Sequence, residues 1–247
     1  GPPQVYESKI SPEYHQSHWI ADRMIDIIKE SNSEKPFFAF CSFVDPHHPF
    51  DPPEPYASMY DPDALAAPTA QEGELEDKPP HFRKARTAHG FSNEKYDYRN
   101  LTLYQWGQIK AAYYGMISLI DDNIGRILDA LAAKGIVNDT LIMFTNDHGE
   151  LLGDHGLLFK GPFHYDCIIK APMIMSWPGV IPQGSRYSQV TEHVDIMPTL
   201  LELAGVRPPY GVQGTSMVPI LRGDKGAGKQ YAMTEFNCYD WGLSVKT

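Results

Sequence analysis

Cysteine is scarce in this chain of 247 residues. Cys41, Cys167 and Cys238 are the whole set, and none stands in a Cys-x-x-Cys pair. Neither a zinc knuckle nor a disulfide framework is indicated. Cys41, inside an apolar run, reads as a buried core residue. Long apolar runs are missing as well: none approaches the ~20 residues that a membrane-spanning helix needs. Residues 1–30 lack a basic start followed by an apolar core, so they do not read as a secretory signal. Compartment and oligomeric state stay open. Positive charge is in deficit, with a formal net charge of −10, which argues against general adhesion to nucleic acid or acidic membranes. An anionic substrate would have to be met by a local cluster of His, Lys and Arg. There is no internal repeat and no low-complexity tract.

What is present is an alternation of helical and extended patterns. Ser11-Pro12 is an N-cap followed by Pro at the first helical position, and Trp19, Ile20, Met24, Ile27 and Ile28 recur at helical spacing, predicting a helix over 12–31. Residues 36–44 are almost continuously apolar, as in a strand buried on both faces of a parallel sheet. Asp45-Pro46 breaks this run. A long loop follows at about 45–103, rich in Pro, Asp, Glu and aromatics, and expected to contain short helices. Residues 104–134 keep a 3.6-residue beat through Ile109, Ala112, Met116, Ile120, Ile127 and Leu131, and Lys134-Gly135 stops it. Further strands are expected over 140–145, over 171–177 and from Tyr231, with a helix over 193–204. The order predicts an α/β fold: a mostly parallel central sheet flanked by helices.

The segment 145–160 concentrates the chemistry. Its apolar run ends directly at Asp147-His148, and in open α/β sheets ligands bind beyond the carboxyl ends of strands. A carboxylate beside an imidazole suits a divalent ion. Oxygen favours calcium or magnesium, and imidazole tilts toward manganese or zinc. The alternative is a polar turn that caps the next segment. Two Gly-rich turns then deliver Lys160, a point charge suited to a phosphate or sulfate oxygen or else a solvated surface lysine. His155 and His164 flank it, either orienting a ligand or serving the structure. Pro46-His47-His48-Pro49 follows the first apolar run. If that run and 141–145 are parallel neighbours, His47 faces the same pocket, where it can protonate a leaving oxygen. Otherwise it is a His-rich turn. Asp45 and Asp51 read as turn residues and Asp195 as a helix-start residue. Arg83, Lys84 and Arg86 form either a solvated patch or an anion contact, and Tyr56, Tyr60, Tyr96, Tyr98 and Trp106 are candidates to line a sugar or aromatic pocket.

These segments, in this order, resemble the sulfatase branch of the alkaline phosphatase superfamily. The resemblance is carried by Phe37-Phe38-Ala39-Phe40 through Pro46-His47-His48-Pro49-Phe50, by residues 113–125, by residues 145–160 and by Val194-Asp195-Ile196-Met197-Pro198-Thr199-Leu200-Leu201. It implies that Asp147 and His148, in the Thr-x-Asp-His-Gly motif, are metal ligands for a divalent ion, calcium foremost with manganese or magnesium as alternatives. It implies that Lys160, closing Gly-x-His-Gly-x-x-x-Lys, touches substrate, that His47 rather than His48 is the substrate-binding leaving-group acid, and that His155 lies with the substrate-binding residues. The formylglycine precursor Cys/Ser-x-Pro/Ala-x-Arg is absent, as are the paired aspartate ligands after the family's first strand; Asp121-Asp122 lie mid-helix. The resemblance therefore implies an internal piece of a sulfatase catalytic domain, ending as the C-terminal subdomain begins and inactive by itself. The parent activity expected is hydrolysis of a small sulfate monoester or sulfated sugar by a formylglycine nucleophile. A phosphodiester or phosphonate monoester hydrolase of the same superfamily is the nearest alternative. A non-catalytic relative that has lost the nucleophile is another.

Overall fold

The computed structural model describes residues 1–32, 34–86, 99–224, 226–238 and 241–246. The chain divides into two units: Gly1–Val137 with Glu150–Gly161, and Asn138–Gly149 with Pro162–Thr247.

In the first unit a turn of 3-10 helix, Pro12–Tyr14, precedes helix α1, Gln16–Glu30. The predicted single helix is thus split at His15, which is extended and accepts from Ser17 N–H as the N-cap. Ala21, Met24 and Ile28 form its buried stripe. Helix α2 is Pro80–Ala85 and helix α3 is Leu103–Lys134. At its start Thr102 Oγ accepts from Gln105 N–H and the Gln105 side chain accepts from Thr102 N–H, a reciprocal capping box. Gly135 ends α3 in the left-handed conformation at φ 76°. The Lys134 ammonium donates to the carbonyls of Ile28, Lys29 and Ser31, so one side chain of α3 satisfies the open C-terminal carbonyls of α1.

One face of α3 supplies the core of this unit. Trp106, Ile109, Ala112 and Met116 cluster with Phe50 and Leu158, and Leu152 and Phe159 pack at the rim. The loop expected at 45–103 is largely ordered over its described part. It contains the 3-10 turn Pro62–Ala64 and helix α2, and it lies directly on α3: Lys110 Nζ donates to Ala66 O at 2.9 Å.

The second unit contains strand β1, Ile142–Thr145, helix α4, Asp166–Ile169, strand β2, Met173–Ser176, helices α5, Ile196–Leu203, and α6, Val218–Leu221, and strands β3, Met233–Cys238, and β4, Trp241–Lys246. Both ladders, β1 with β2 and β3 with β4, are antiparallel. This differs from the mostly parallel sheet expected from sequence; among the described residues the one parallel pairing is the bridge Val5↔Phe50. The apolar run 36–44 has no ladder partner among the described residues, and Phe38 and Phe40 are 80% and 81% exposed. An apolar run signals that something should cover it; it does not name the partner. Cys41, expected in the core, is half-buried.

An ion cluster in the second unit joins the segment before α5 to the start of β3, where Met233 N–H donates to Glu192 Oε1 at 2.8 Å. Asp195, 2% exposed, accepts from Glu192 N–H at 2.9 Å and Thr215 N–H at 2.7 Å, and Lys229 Nζ lies 2.7 Å from its Oδ1 while also pairing with Glu192. The Lys229 hydrogen bond holds Glu192 below the usual carboxylate range. Burial alone would depress Lys229; its hydrogen bonds to Asp195 and Glu192 overcome this and raise it. The stabilisation is therefore present above the unfolded pKa of Glu192, is lost as pH falls through its folded value, and is lost at the alkaline end as pH rises through the folded value of Lys229.

Two stability predictions follow from this packing. A Cβ on Gly107 would sit 2.2 Å from Pro62 O, whereas one on Gly125 meets nothing within 4 Å. In urea titrations Gly107→Ala loses about 1–3 kcal/mol or more, and Gly125→Ala gains up to about 1 kcal/mol. Lys229→Met leaves the Asp195 charge buried without its cation and costs about 3–5 kcal/mol. It also flattens the acid limb of the stability profile, measured by denaturant midpoints across pH.

Candidate active-site residues

The loop 45–50 and the turn 151–160 both belong to the first unit. The loop is closed by His47 N–H donating to Val44 O at 3.1 Å, and Phe50 N–H donates to Gln4 O at 2.6 Å. Phe50 is fully buried. Between these anchors His47 is exposed. Its ring stacks on His48 at 4.2 Å and 26°, and His48 in turn lies 4.5 Å from the ring of Phe159. Phe159 immediately precedes Lys160. The loop bearing His47 and the turn bearing Lys160 thus meet through a continuous run of rings. The His47 Nδ1 lies 2.7 Å from His48 O. A carbonyl only accepts, so Nδ1 carries hydrogen and Nε2 is the nitrogen left to exchange a proton outward.

The turn that delivers Lys160 is strained. Leu152, His155 and Phe159 have φ of 46°, 58° and 67°, a region that costs a bulky residue about 1–3 kcal/mol. Leu151 and Leu157 are fully buried and Leu158 is 3% exposed. Each burial is worth roughly 1.5–3 kcal/mol, enough to offset the strain. Glu150 lies at the start of this turn. Burial pushes its carboxyl up to about 7, and the nearby Lys160 charge pulls the other way.

His155 is engaged with the ordered loop through both its backbone and its ring. Its N–H donates to Thr69 O at 2.7 Å and its Nδ1 lies 3.3 Å from Glu74 Oε1. It fastens the turn to the ordered loop, as does Thr69 N–H donating to Asp154 at 3.0 Å. Other candidates are also engaged. Arg83 donates to the carbonyls of Glu76 and Lys78 at 2.6 and 3.1 Å. Tyr56 donates to Asp122 at 2.6 Å, and burial first and that hydrogen bond second push its phenol up to about 12. Tyr60 pairs with Ser118, and Trp106 is core. Tyr56 and Tyr60 thus bond to side chains of α3, the helix to which Trp106 itself belongs. Tyr96 and Tyr98 lie outside the described residues.

Asp147 and His148 belong to the second unit, directly after β1. His148 N–H donates to Asp147 Oδ1 at 2.9 Å. His148 Nδ1 lies 2.8 Å from Gly149 O, so its Nε2 keeps a lone pair, 3.6 Å from Asp147 Oδ2. Neighbouring ligands on one ion are separated by roughly 3–3.7 Å at usual metal–ligand lengths. The donor types and spacing fit a divalent ion. The number does not complete a shell, since no group of three or more His, Cys, Asp or Glu suited to a metal occurs among the described residues. Next to the pair, Asn146 Oδ1 is buried with no hydrogen-bond partner among the described residues. Gly149 is required here: its N–H donates to Ile168 O at 2.8 Å, and a Cβ would fall 1.8 Å from Cys167 O. In the same unit His164 Nδ1 contacts Thr234 Oγ at 2.7 Å, and burial lowers its pKa, a structural placement.

With this geometry in hand, comparison with known proteins is decisive for the family. The sequence profile described as Sulfatase matches residues 3–206. The chain belongs to the sulfatase family. An arylsulfatase of Clostridium perfringens is 34% identical over 233 residues, 93% of this chain and 46% of that protein. Among solved structures, the phosphonate monoester hydrolase of Agrobacterium radiobacter superposes with a TM-score of 0.81 at 30% identity, covering 94% of this chain and 47% of that one. The phosphonate monoester hydrolase of Silicibacter pomeroyi gives 0.79 at 30% identity, with 92% and 45% coverage. These likenesses establish the α/β fold of the sulfatase and alkaline phosphatase class. The chain spans about half the length of the relatives it matches.

Asp147 and His148 supply two candidate donors, and two donors set an affinity limit. Calorimetric titration of this chain with calcium should give binding weaker than about 10⁻⁴ M, reduced further in Asp147→Asn. A tight one-to-one isotherm would reveal ligands beyond the pair.

Proposed function

We propose that this chain carries the leaving-group and anion-binding residues of a sulfuric ester hydrolase that cleaves a small sulfate monoester or sulfated sugar. The observation that carries the reading is the contact of the His47-His48 loop with Phe159 beside Lys160. The Lys160 ammonium meets the non-bridging oxygens of the ester and lowers the cost of the charge that builds there. His47, with Nδ1–H held on its neighbour's carbonyl, delivers a proton from Nε2 of the imidazolium to the departing alcohol oxygen. Asp147 and His148, in the second unit, would hold part of the shell of a divalent ion, which supplies charge neutralisation when bound. No residue of this chain supplies the formylglycine motif, so the reading draws its nucleophile from sequence beyond these residues.

A second reading, phosphonate monoester hydrolysis, is favoured by the solved neighbours at TM-scores of 0.79 and 0.81. Initial rates of the full-length enzyme on matched aryl sulfate and aryl phosphonate esters separate the two, with sulfate expected to be preferred. In the same enzyme Lys160→Ala should lower kcat by about 10²–10³-fold with an unchanged melting profile. Near-native turnover in that variant would remove Lys160 from the mechanism.

A further inference from the structure

Asp45 is a nearly buried carboxylate that the proposed reaction does not use. The Ser17 hydroxyl donates to its Oδ2. The imidazole of His15 stands beside the same oxygen, with Nδ1 at 3.6 Å, too long for a hydrogen bond but within close electrostatic range. His15 and Asp45 side chains are each 10% exposed, and Ser17 is 1% exposed. The cluster lies on the first turn of α1, a helix of 15 residues, whose open N–H groups and dipole favour a carboxylate. Asp51 is the other ionisable neighbour. Burial raises its pKa, His15 opposes this and Asp45 adds to it.

The types Ser, His and Asp invite comparison with a hydrolytic triad, and the geometry excludes one. The Ser17 hydroxyl donates to the carboxylate and not to an imidazole, while His15 Nδ1 faces the Ser17 amide at 3.3 Å. No base is placed to activate a nucleophile, and Ser17 is closed to solvent.

What the cluster does hold is one end of the loop that carries His47. The other end is held by Phe50, buried and bridged to Gln4 and Tyr6 through Phe50 N–H to Gln4 O at 2.6 Å and Tyr6 N–H to Phe50 O at 3.1 Å. His47 is two residues from the first anchor and three from the second, and it has no regular secondary structure of its own to fix it. We infer that Asp45, held by the Ser17 hydroxyl, is a positioning residue that sets where the His47 imidazole stands against the departing alcohol. This rests on His47 being the leaving-group acid.

The test uses the full-length enzyme and a series of aryl sulfates running from a nitrophenol to unsubstituted phenol as leaving group. A poor leaving group needs the proton; a good one does not. His47→Ala should therefore lose rate selectively on the phenol end of the series. Asp45→Asn and Ser17→Ala should show the same selectivity in weaker form: within about threefold of native on the nitrophenyl ester and down by roughly 10–100-fold on the phenyl ester, with native near-ultraviolet dichroism. Should Asp45→Asn fail to fold, Ser17→Ala alone carries the comparison, since it removes the donor and keeps the charge. A uniform loss, or none, in the Asp45 and Ser17 variants beside a selective loss in His47→Ala overturns the positioning role and leaves His47 in place. A uniform loss in His47→Ala overturns the reading of His47, and this inference with it.

Discussion

Burial of Phe50 and Leu158 against one face of α3 is the constraint on which the placement of the loop 45–50 and the turn 151–160 depends. Neither the loop carrying His47 nor the turn carrying Lys160 contains a strand or an α-helix. Each is instead tied to the same apolar cluster by its side chains, Phe50 for the loop and Leu158, with Leu152 and Phe159 at the rim, for the turn. The ring of Phe159 lies 6.2 Å from Phe50 and 4.5 Å from His48, so the two tethers also touch each other. Irregular backbone is thereby given the rigidity that a binding constellation needs, without the hydrogen-bond ladder that usually supplies it.

The cations of this unit make a related point. The chain is acidic overall, yet several of its cations are spent on backbone carbonyls: Lys134 on the end of α1, Lys110 on Ala66, Arg83 on Glu76 and Lys78. Each satisfies acceptors that the ordered loop and helix ends would otherwise leave open. A basic residue near the site is therefore not evidence of anion binding. Lys160 differs in its setting, at the end of a strained turn and within electrostatic range of Glu150, whose carboxyl is pushed up to about 7 by burial. A carboxyl in that condition cancels less of the lysine charge than an ionised one would.

Much of the first unit could be read from the sequence, and the limits are instructive. Helix α3 is legible because its apolar period is long and Gly135 marks its end. The order of the loop after residue 51 is not legible, because its anchors are tertiary: a carbonyl facing a helical glycine at Gly107, an ammonium reaching Ala66. The positive φ of Leu152, His155 and Phe159 is hidden for the opposite reason, since bulky residues in that conformation contradict local preference and are held there by burial. The run 36–44 shows a third kind of limit. Its composition predicts cover on both faces, but cover is a property of the partner, and no described residue pairs with it. The motifs point to candidate residues; the Glu74 contact of His155 and the Ser17 contact of Asp45 follow from no local pattern, because each joins segments distant in sequence.

The Asp147-His148 pair sharpens the difference between holding a ligand and choosing one. Its presentation is fixed by main chain: Thr145 Oγ donates to Pro172 O at 2.9 Å, Gly149 N–H donates to Ile168 O, and the Gly149 carbonyl faces His148 Nδ1 so that Nε2 is left with its lone pair. One carboxylate oxygen and one imidazole nitrogen are compatible with calcium, magnesium, manganese or zinc. Selection among these ions depends on coordination number and on the softness of the whole donor set, not on two of its members. The pair would set the direction from which an ion is approached, while the identity of the ion would be decided by whatever completes the shell. That division explains why the strand end could be recognised so readily from sequence while the metal could not.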